Sequence, residues 1–546
     1  MIANTRRLVC VLLLAVLGIG ASINASAQLK QTPIPQLVGE DGRYKLVVDG
    51  QPFFILGGQC GNSSNWPAVL PTVWSTLKLM NANTLEIPIY WEEIEPVQGK
   101  YDFSSVQRLL DQAREQDIRL VLLWFATWKN GSNHYMPEWM KLESGKYPNI
   151  LGKDGKQVDS PSPHCKAAME ADAKAFTAVM QYLKDNDPCH TVIMVQVQNE
   201  PGSWGSVRDY SKLGNKLFKQ QVPPALLTPA VLNELGVPVV SKGTWSEVFG
   251  ERADEYFQAW SVASYIEYVA AAGKKVNPLP MYVNVALRDP FGNPPATNYE
   301  SGGATDNVIP IYKVAAPHID LVAPDIYQRG DANYTRSIEL YTRNDNALMV
   351  PETSGDSNKY LYEVVKQGIG FSPFGVDKGY PNINDNINLG RDYKLLKPIA
   401  DKIAQWSFER RIYAAFEPEN HAVRRLDLGQ WEAILVFGQP RRSNDIPETN
   451  TPSEGRSAWG KAMIVKLDEG DFLVAGNNVR FTFRPLGRNE GKAWHYLRVE
   501  EGCYNDSGEW EMKRVLNGDE TDWTGPYAGP VPTMLRIRVY ARENAK

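Results

Sequence analysis

The chain has 546 residues, 43% hydrophobic and 22% charged, with a formal net charge of -5. That length suits one large and one smaller domain of a soluble globular protein, and the acidic balance provides no basic footprint for nucleic acid. Its 15 Trp, 25 Tyr and 17 Phe are an excess that serves either core filling or stacking on sugar rings.

Arg6 and Arg7 precede an apolar run from Leu8 to Gly20, and Ala25-Ser26-Ala27 fits a cleavage site. Residues 1–27 are therefore expected to be a signal peptide, and the mature chain an exported protein, periplasmic or secreted. The run is shorter than the roughly 18 residues of a membrane span, and no later segment is expected to cross a membrane. Beyond the leader stand Cys60, Cys165, Cys189 and Cys503, at spacings that match no zinc pattern. A helix over about residues 166–183 separates Cys165 from Cys189 by roughly 27 Å, which rules out that pair. Free buried thiols are expected, with a Cys60–Cys165 bridge as the alternative.

After an N-terminal strand, eight apolar runs alternate with helical stretches. They are Phe53–Gly58, Thr84–Tyr90, Leu120–Phe125, Val192–Glu200, Met281–Leu287, Ile319–Tyr327, Leu348–Glu352 and Gly368–Phe374. Amphipathic spacing predicts helices over Val106–Gln116, Lys166–Leu183 and Tyr256–Ala272. This alternation predicts an α/β fold, a (β/α)8 barrel over residues 28–412. Pro201–Arg252 reads as an insertion on the face of the strand C-terminal ends, and a helix over Tyr393–Ile412, despite Pro398, closes the barrel. From residue 413 to 546, short strands separated by Gly, Asn and Asp turns predict an all-β sandwich.

Catalytic residues of such barrels come from the C-terminal ends of the strands. The fourth strand ends on Asn199-Glu200, stopped by Pro201-Gly202, and the seventh on Pro351-Glu352. Two carboxylates facing each other across one barrel mouth meet the needs of glycoside cleavage. One protonates the leaving oxygen; the other attacks the anomeric carbon, with a separation of about 5–5.5 Å for a retaining reaction. The 6 His show no HxH or HExxH spacing, and phosphate-loop, dinucleotide and GxSxG patterns are missing. No metal and no cofactor are therefore expected.

"VQVQNEPG" (Val195–Gly202) resembles the acid/base motif of the retaining (β/α)8 glycosidase clan, and is similar to that of glycoside hydrolase family 35, the β-galactosidases. "YWEEIEPVQGKYDF" (Tyr90–Phe103) is similar to a second motif of that family, with Trp91, Glu95, Pro96, Gly99, Tyr101 and Phe103 in register. "LWFATWKNG" resembles the neighbouring β-galactosidase family 42. The resemblance covers about residues 40–410. It implies Glu200 as acid/base, Glu352 as nucleophile, Asn199 as the holder of the sugar 2-hydroxyl and Tyr327 as the residue that positions Glu352. The chain departs from family 35 at Ile94, where the family has His, and at Val197-Gln198 before Asn199. It also departs at Glu86, where many clan members carry Arg; a carboxylate pointing inward there needs a partner or a proton.

Trp124, Trp128 and Trp204 are candidate stacking platforms for a sugar ring; core or loop packing is the alternative for each. Asn130 and Asn284 are candidate hydroxyl binders. Asp325 is read equally as part of an ion pair, and Glu417 and Glu419 as residues of the domain junction. The expected function is an exported exo-β-galactosidase that acts on plant polysaccharide side chains such as xyloglucan, its partner a carbohydrate with a terminal β-galactose. The rivals are an endo-β-mannanase or β-glucanase of the same clan, and a non-catalytic glycan-binding barrel.

Overall fold

The computed structural model describes residues 30–438, 446 and 459–543; the expected leader, residues 1–27, lies outside them. The eight apolar runs form the barrel strands β1 (Ile55–Gln59), β2 (Thr84–Tyr90), β3 (Arg119–Lys129), β4 (Val192–Asn199), β5 (Met281–Ala286), β6 (Leu321–Ile326), β7 (Leu348–Val350) and β8 (Gly368–Phe371). Every neighbouring pair is parallel. The ring closes at β7 through a break. Pro351 cannot donate to a ladder, and it divides the seventh run in two. Leu348–Val350 pairs with β8, while Glu352–Thr353 pairs with the end of β6, Asp325 opposite Glu352. The break therefore delivers Glu352 to the mouth of the barrel.

Side chains alternate across each strand. In β3, Val121, Leu123 and Phe125 fill the lumen together with Ile55, Ile193, Leu321 and Met349. Leu120, Leu122 and Trp124 face outward into the layer beneath the helices. An antiparallel ribbon of Gln36–Glu40, Arg43–Val48 and Gln51–Phe53 plugs the lumen with Leu46 and Val48. On the outer layer, helices Lys166–Asn186 and Ala253–Val276 pack so closely that a Cβ on Gly273 would meet Phe176 at 2.3 Å.

The closing helix is not continuous. It runs Ile383–Leu396, tightens to a 3-10 turn at Lys397–Ile399 and resumes at Ala400–Phe408, because Pro398 removes one donor of the ladder. Ile412 already belongs to a strand, Ile412–Phe416, of the C-terminal part. There a six-stranded and a four-stranded antiparallel sheet face each other. The strands Arg424–Asp427, Trp510–Leu516 and Tyr527–Ala528 carry too little apolar alternation to be read from sequence. Cys60, Cys165, Cys189 and Cys503 are all free thiols, so the alternative Cys60–Cys165 bridge does not form.

Two neighbouring strands of the six-stranded sheet, Lys461–Asp468 and Asp471–Asn477, are largely buried on both faces. Ala462, Ile464, Phe472 and Val474 point into the sandwich. Met463, Val465, Leu473 and Ala475, one residue out of phase, join the core of the barrel. At this seam Lys461 pairs with Asp392 at 2.7 Å, both buried, and donates to the Asn358 carbonyl at 3.1 Å. Tyr362 donates to the other Asp392 oxygen at 3.1 Å. Removal of one member of a buried pair leaves an uncompensated charge, at a cost of about 3–5 kcal/mol. Lys461→Met is expected to lower stability by that order in a denaturant titration, and Asp392→Asn in the same chain to recover part of it. Equal stability of Lys461→Met and the native protein would show that the seam does not depend on the pair.

Candidate active site

The mouth is built by strand ends that leave regular geometry. Gln198 and Glu200 have φ of +67° and +42°, in the left-handed region that non-glycine residues rarely adopt. Such backbone costs of order 1–3 kcal/mol and persists only where its surroundings over-determine it. Here they do. Asn284 Oδ1 on β5 accepts the Glu200 N–H at 2.8 Å, and the Glu200 carbonyl accepts the Gly131 N–H at 3.0 Å. The Gln198 side chain accepts from the Trp128 N–H at 3.0 Å and donates to Asp172 at 2.6 Å. Glu200 is thereby turned inward at the point where β4 ends.

Opposite it, Tyr327, just past β6, donates its hydroxyl to Glu352 Oε1 at 2.8 Å. Between the two glutamates lies Asp325, which accepts from Asn284 Nδ2 at 2.7 Å. One carboxyl oxygen of each of Glu200, Asp325 and Glu352 lies within 4.8 Å of the others, and all three residues are buried. The near approach of these oxygens is compatible with the close carboxyl pair of a retaining glycosidase. Three carboxyls so close are also the donor set of an oxygen-liganded cation. The ammonium of buried Lys129 already acts on Glu352 and Asp325 from the end of β3.

Burial, then the charges of Glu352 and Glu200, push Asp325 well above the usual carboxylate range. Glu352 is pushed up to about 7 by burial and by Glu200; Lys129 and hydrogen bonds from Tyr327 and Gln59 oppose that shift and favour its ionised form. Glu300, in the loop after β5, is raised well above its ordinary value by burial and by Glu200. It accepts from the Trp204 indole at 2.5 Å. Deeper in the lumen, Glu86 meets both needs anticipated for it. The Tyr282 hydroxyl donates to it at 3.0 Å, and burial lifts its pKa to about 8.

Of the residues selected from sequence, Glu200, Glu352 and Tyr327 come together. Asn199, next in chain to Glu200, is 0% exposed, with neither amide atom engaged by the described residues. Trp204 is 48% exposed at the rim beside Glu300. Asn130 is exposed, next in chain to Lys129, whose ammonium donates to its Oδ1. Three readings are corrected. Asn284 is committed to the Glu200 backbone and to Asp325, so it positions the site instead of binding hydroxyls. Trp124 has the outward parity of β3 and donates to Asp172 at 2.8 Å in the helical layer. Trp128 is packed edge-on against Tyr265, ring centroids 4.7 Å apart. Neither indole is a sugar platform. As for the ion-pair alternative at Asp325, it accepts from the Asn284 amide and forms no ion pair with an Arg or Lys among the described residues.

Sequence reasoning missed Lys129, Gln59 and Glu300. Lys129 was discoverable as a charged residue closing an apolar run that ends at the barrel mouth; Glu300 sits in a loop with no periodic signal. The similar "WEEIEP" stretch is structural, since Glu95 accepts from the Trp91 indole at 2.8 Å and from the Gly99 N–H at 2.7 Å.

The barrel thus carries two opposed glutamates at the ends of its fourth and seventh strands, the arrangement that glycoside cleavage uses. Residues 62–249 match the family model of the family 42 β-galactosidases, and residues 389–525 match a domain of unknown function, DUF5597. The match thus falls on the family 42 resemblance and not on family 35. A β-galactosidase of Xanthomonas manihotis is 28% identical over 174 residues, 30% of this chain and 27% of that protein, so the likeness spans about a quarter of that relative. Among solved structures, β-galactosidase from Rahnella sp. R3 aligns at 18% identity, over 64% of this chain and 56% of that one, with a TM-score of 0.43. That from Bacillus circulans sp. alkalophilus aligns at 11% identity, over 89% and 99%, with a TM-score of 0.48. The family 42 match includes Glu200 and stops before Glu352, whose assignment rests on its strand and on Tyr327.

Because Glu352 is raised, its proton is expected to leave near pH 7 and not in the ordinary carboxyl range. Infrared difference titration of the native protein against Glu352→Gln checks this. Lys129→Met removes a charge that favours the ionised form, so the midpoint moves upward; a downward or absent shift contradicts the assignment.

Proposed function

We propose that the protein is an exported, retaining exo-β-galactosidase that removes terminal β-galactosyl residues from plant polysaccharide side chains such as xyloglucan. The observation that carries this reading is the Glu200–Glu352 pair, with one oxygen of each within 4.8 Å of the other, and the family 42 match over residues 62–249 supports the choice of galactose. Export rests on the signal-like character of residues 1–27. The departures at Glu86, Ile94 and Val197-Gln198 support a substrate other than lactose.

In the mechanism that follows, Glu200 gives its proton to the glycosidic oxygen while the ionised Glu352 attacks the anomeric carbon. The Tyr327 hydroxyl holds the attacking carboxylate in line. The bond to the leaving sugar breaks and an ester forms between Glu352 and the galactosyl unit. Glu200, now ionised, takes a proton from water, which cleaves that ester and restores both groups. Asn199, with both amide atoms unengaged, hydrogen-bonds the 2-hydroxyl through the oxocarbenium-like transition state.

The test is a panel of 4-nitrophenyl β-galactoside, β-glucoside, β-mannoside, β-xyloside and α-arabinoside. Release from the galactoside is expected, with the product's anomeric configuration retained by NMR. Glu200→Ala is expected to lower turnover of a substrate with a poor leaving group by about 10²–10⁴-fold, and Glu352→Ala by at least as much. Rates unchanged in either variant, or an inverted product, would overturn the reading. Binding of galactosides without hydrolysis would point to the glycan-binding rival.

A further inference from the structure

A cleft of 350 Å³ opens beside the nucleophile, between the barrel and the C-terminal domain. Its lining includes Tyr327, whose hydroxyl lies on Glu352. The barrel wall consists of the loops after β6, β7 and β8, and the opposite wall is Glu419 and Trp459 of the C-terminal part. The two walls are held at a fixed distance. The Glu419 N–H donates to Asp331 at 2.7 Å, and Glu419 Oε1 lies 3.8 Å from where a Cβ on Gly330 would stand. The Lys359 ammonium, paired with Asp331 at 2.6 Å, lies 4.3 Å from the centre of the Trp459 ring.

The lining says what would fit. Trp459 and Tyr380 are 41% and 46% exposed, two large rings facing an otherwise polar space. Lys359 and Arg329 are balanced by Asp356 and Glu419, so the cleft selects no net charge. Ser354 is 8% exposed, yet its hydroxyl has no partner among the described residues, and Gln328 Oε1 is likewise buried and unengaged. Buried polar atoms of this kind are ordinarily satisfied. Aromatic faces, unengaged hydrogen-bonding groups and charge neutrality together describe a site for a neutral polyhydroxylated ring.

We propose that this cleft is a second sugar subsite, filled by the unit next to the reacting galactosyl ring, so that Glu419 and Trp459 of the C-terminal domain select the substrate. The inference rests on the galactosidase reading above. It assigns to the region matched by the domain of unknown function a direct contact with substrate.

The test compares galactosylated xyloglucan oligosaccharides with 4-nitrophenyl β-galactoside on the full chain. In Trp459→Ala and Glu419→Ala, the ratio of kcat/KM for the oligosaccharide to that for the aryl galactoside is expected to fall about tenfold, through KM. Calorimetric binding of the oligosaccharide to Glu352→Gln is expected to weaken to the same extent when either change is added. Should Trp459→Ala fail to fold, Glu419→Gln and Gln328→Ala carry the same comparison. An unmoved ratio, or equal losses on both substrates, overturns the inference. Silence of the native protein on every glycoside overturns the galactosidase reading instead, and the binding measurement then still decides whether the cleft holds sugar.

Discussion

Repulsion among three buried carboxyls is the constraint on which the mouth of this barrel depends. At 4.8 Å and an effective dielectric constant near 20, two like charges repel by about 3 kcal/mol. Three charges would therefore oppose folding by about 10 kcal/mol, as much as the whole stability of an ordinary domain. The protein removes that load in two ways. Burial and its neighbours raise Asp325 well above the usual range, which disfavours its charge, and the Lys129 ammonium is set against the remainder.

Everything that holds this cluster is backbone geometry first. Pro351 breaks β7 so that Glu352 pairs beside Asp325, and left-handed turns at Gln198 and Glu200 bring the other carboxylate inward. Asn284 ties these together. A single amide accepts the Glu200 N–H and donates to Asp325, so β4, β5 and β6 share one hydrogen-bonded crosspiece. The strain at Glu200 is small beside the number of contacts that oppose its relaxation.

Much of this was legible from the residues. The eight barrel runs are largely apolar, and the rule that chemistry sits at strand C-termini led to Glu200 and Glu352. Parity was the information left unused. Trp124 lies an even number of residues from Leu120 and Leu122, which must face the helices if Val121 and Leu123 fill the lumen, so its outward direction was already implicit in the run. Asn284 was recognised as a strand-end amide, but its role depends on which strand lies beside it, and that is a fact of closure. Glu300 lies in a long loop, where position follows from packing and not from any period. The two parts of the closing helix show a local rule, the cost of Pro398, defeating a plausible pattern.

The C-terminal sheet adds a mechanical argument. A sheet with one solvated face rides on its neighbour and can shift; one with Ile464 and Val474 in its own core, and Met463 and Leu473 in the barrel's, cannot move without exposing both. Fully burying side chains of this size contributes about 1.5–3 kcal/mol each, so the seam is worth more than a typical interdomain contact, even before the Lys461–Asp392 pair is considered. Recognition by positioned side chains loses its effect when they are displaced by as little as 1 Å. Residues placed beside the nucleophile from a second domain can act on substrate choice only if that domain is fixed to the barrel. Here it is fixed by shared core, and the aromatic wall next to Tyr327 inherits the rigidity of the barrel itself.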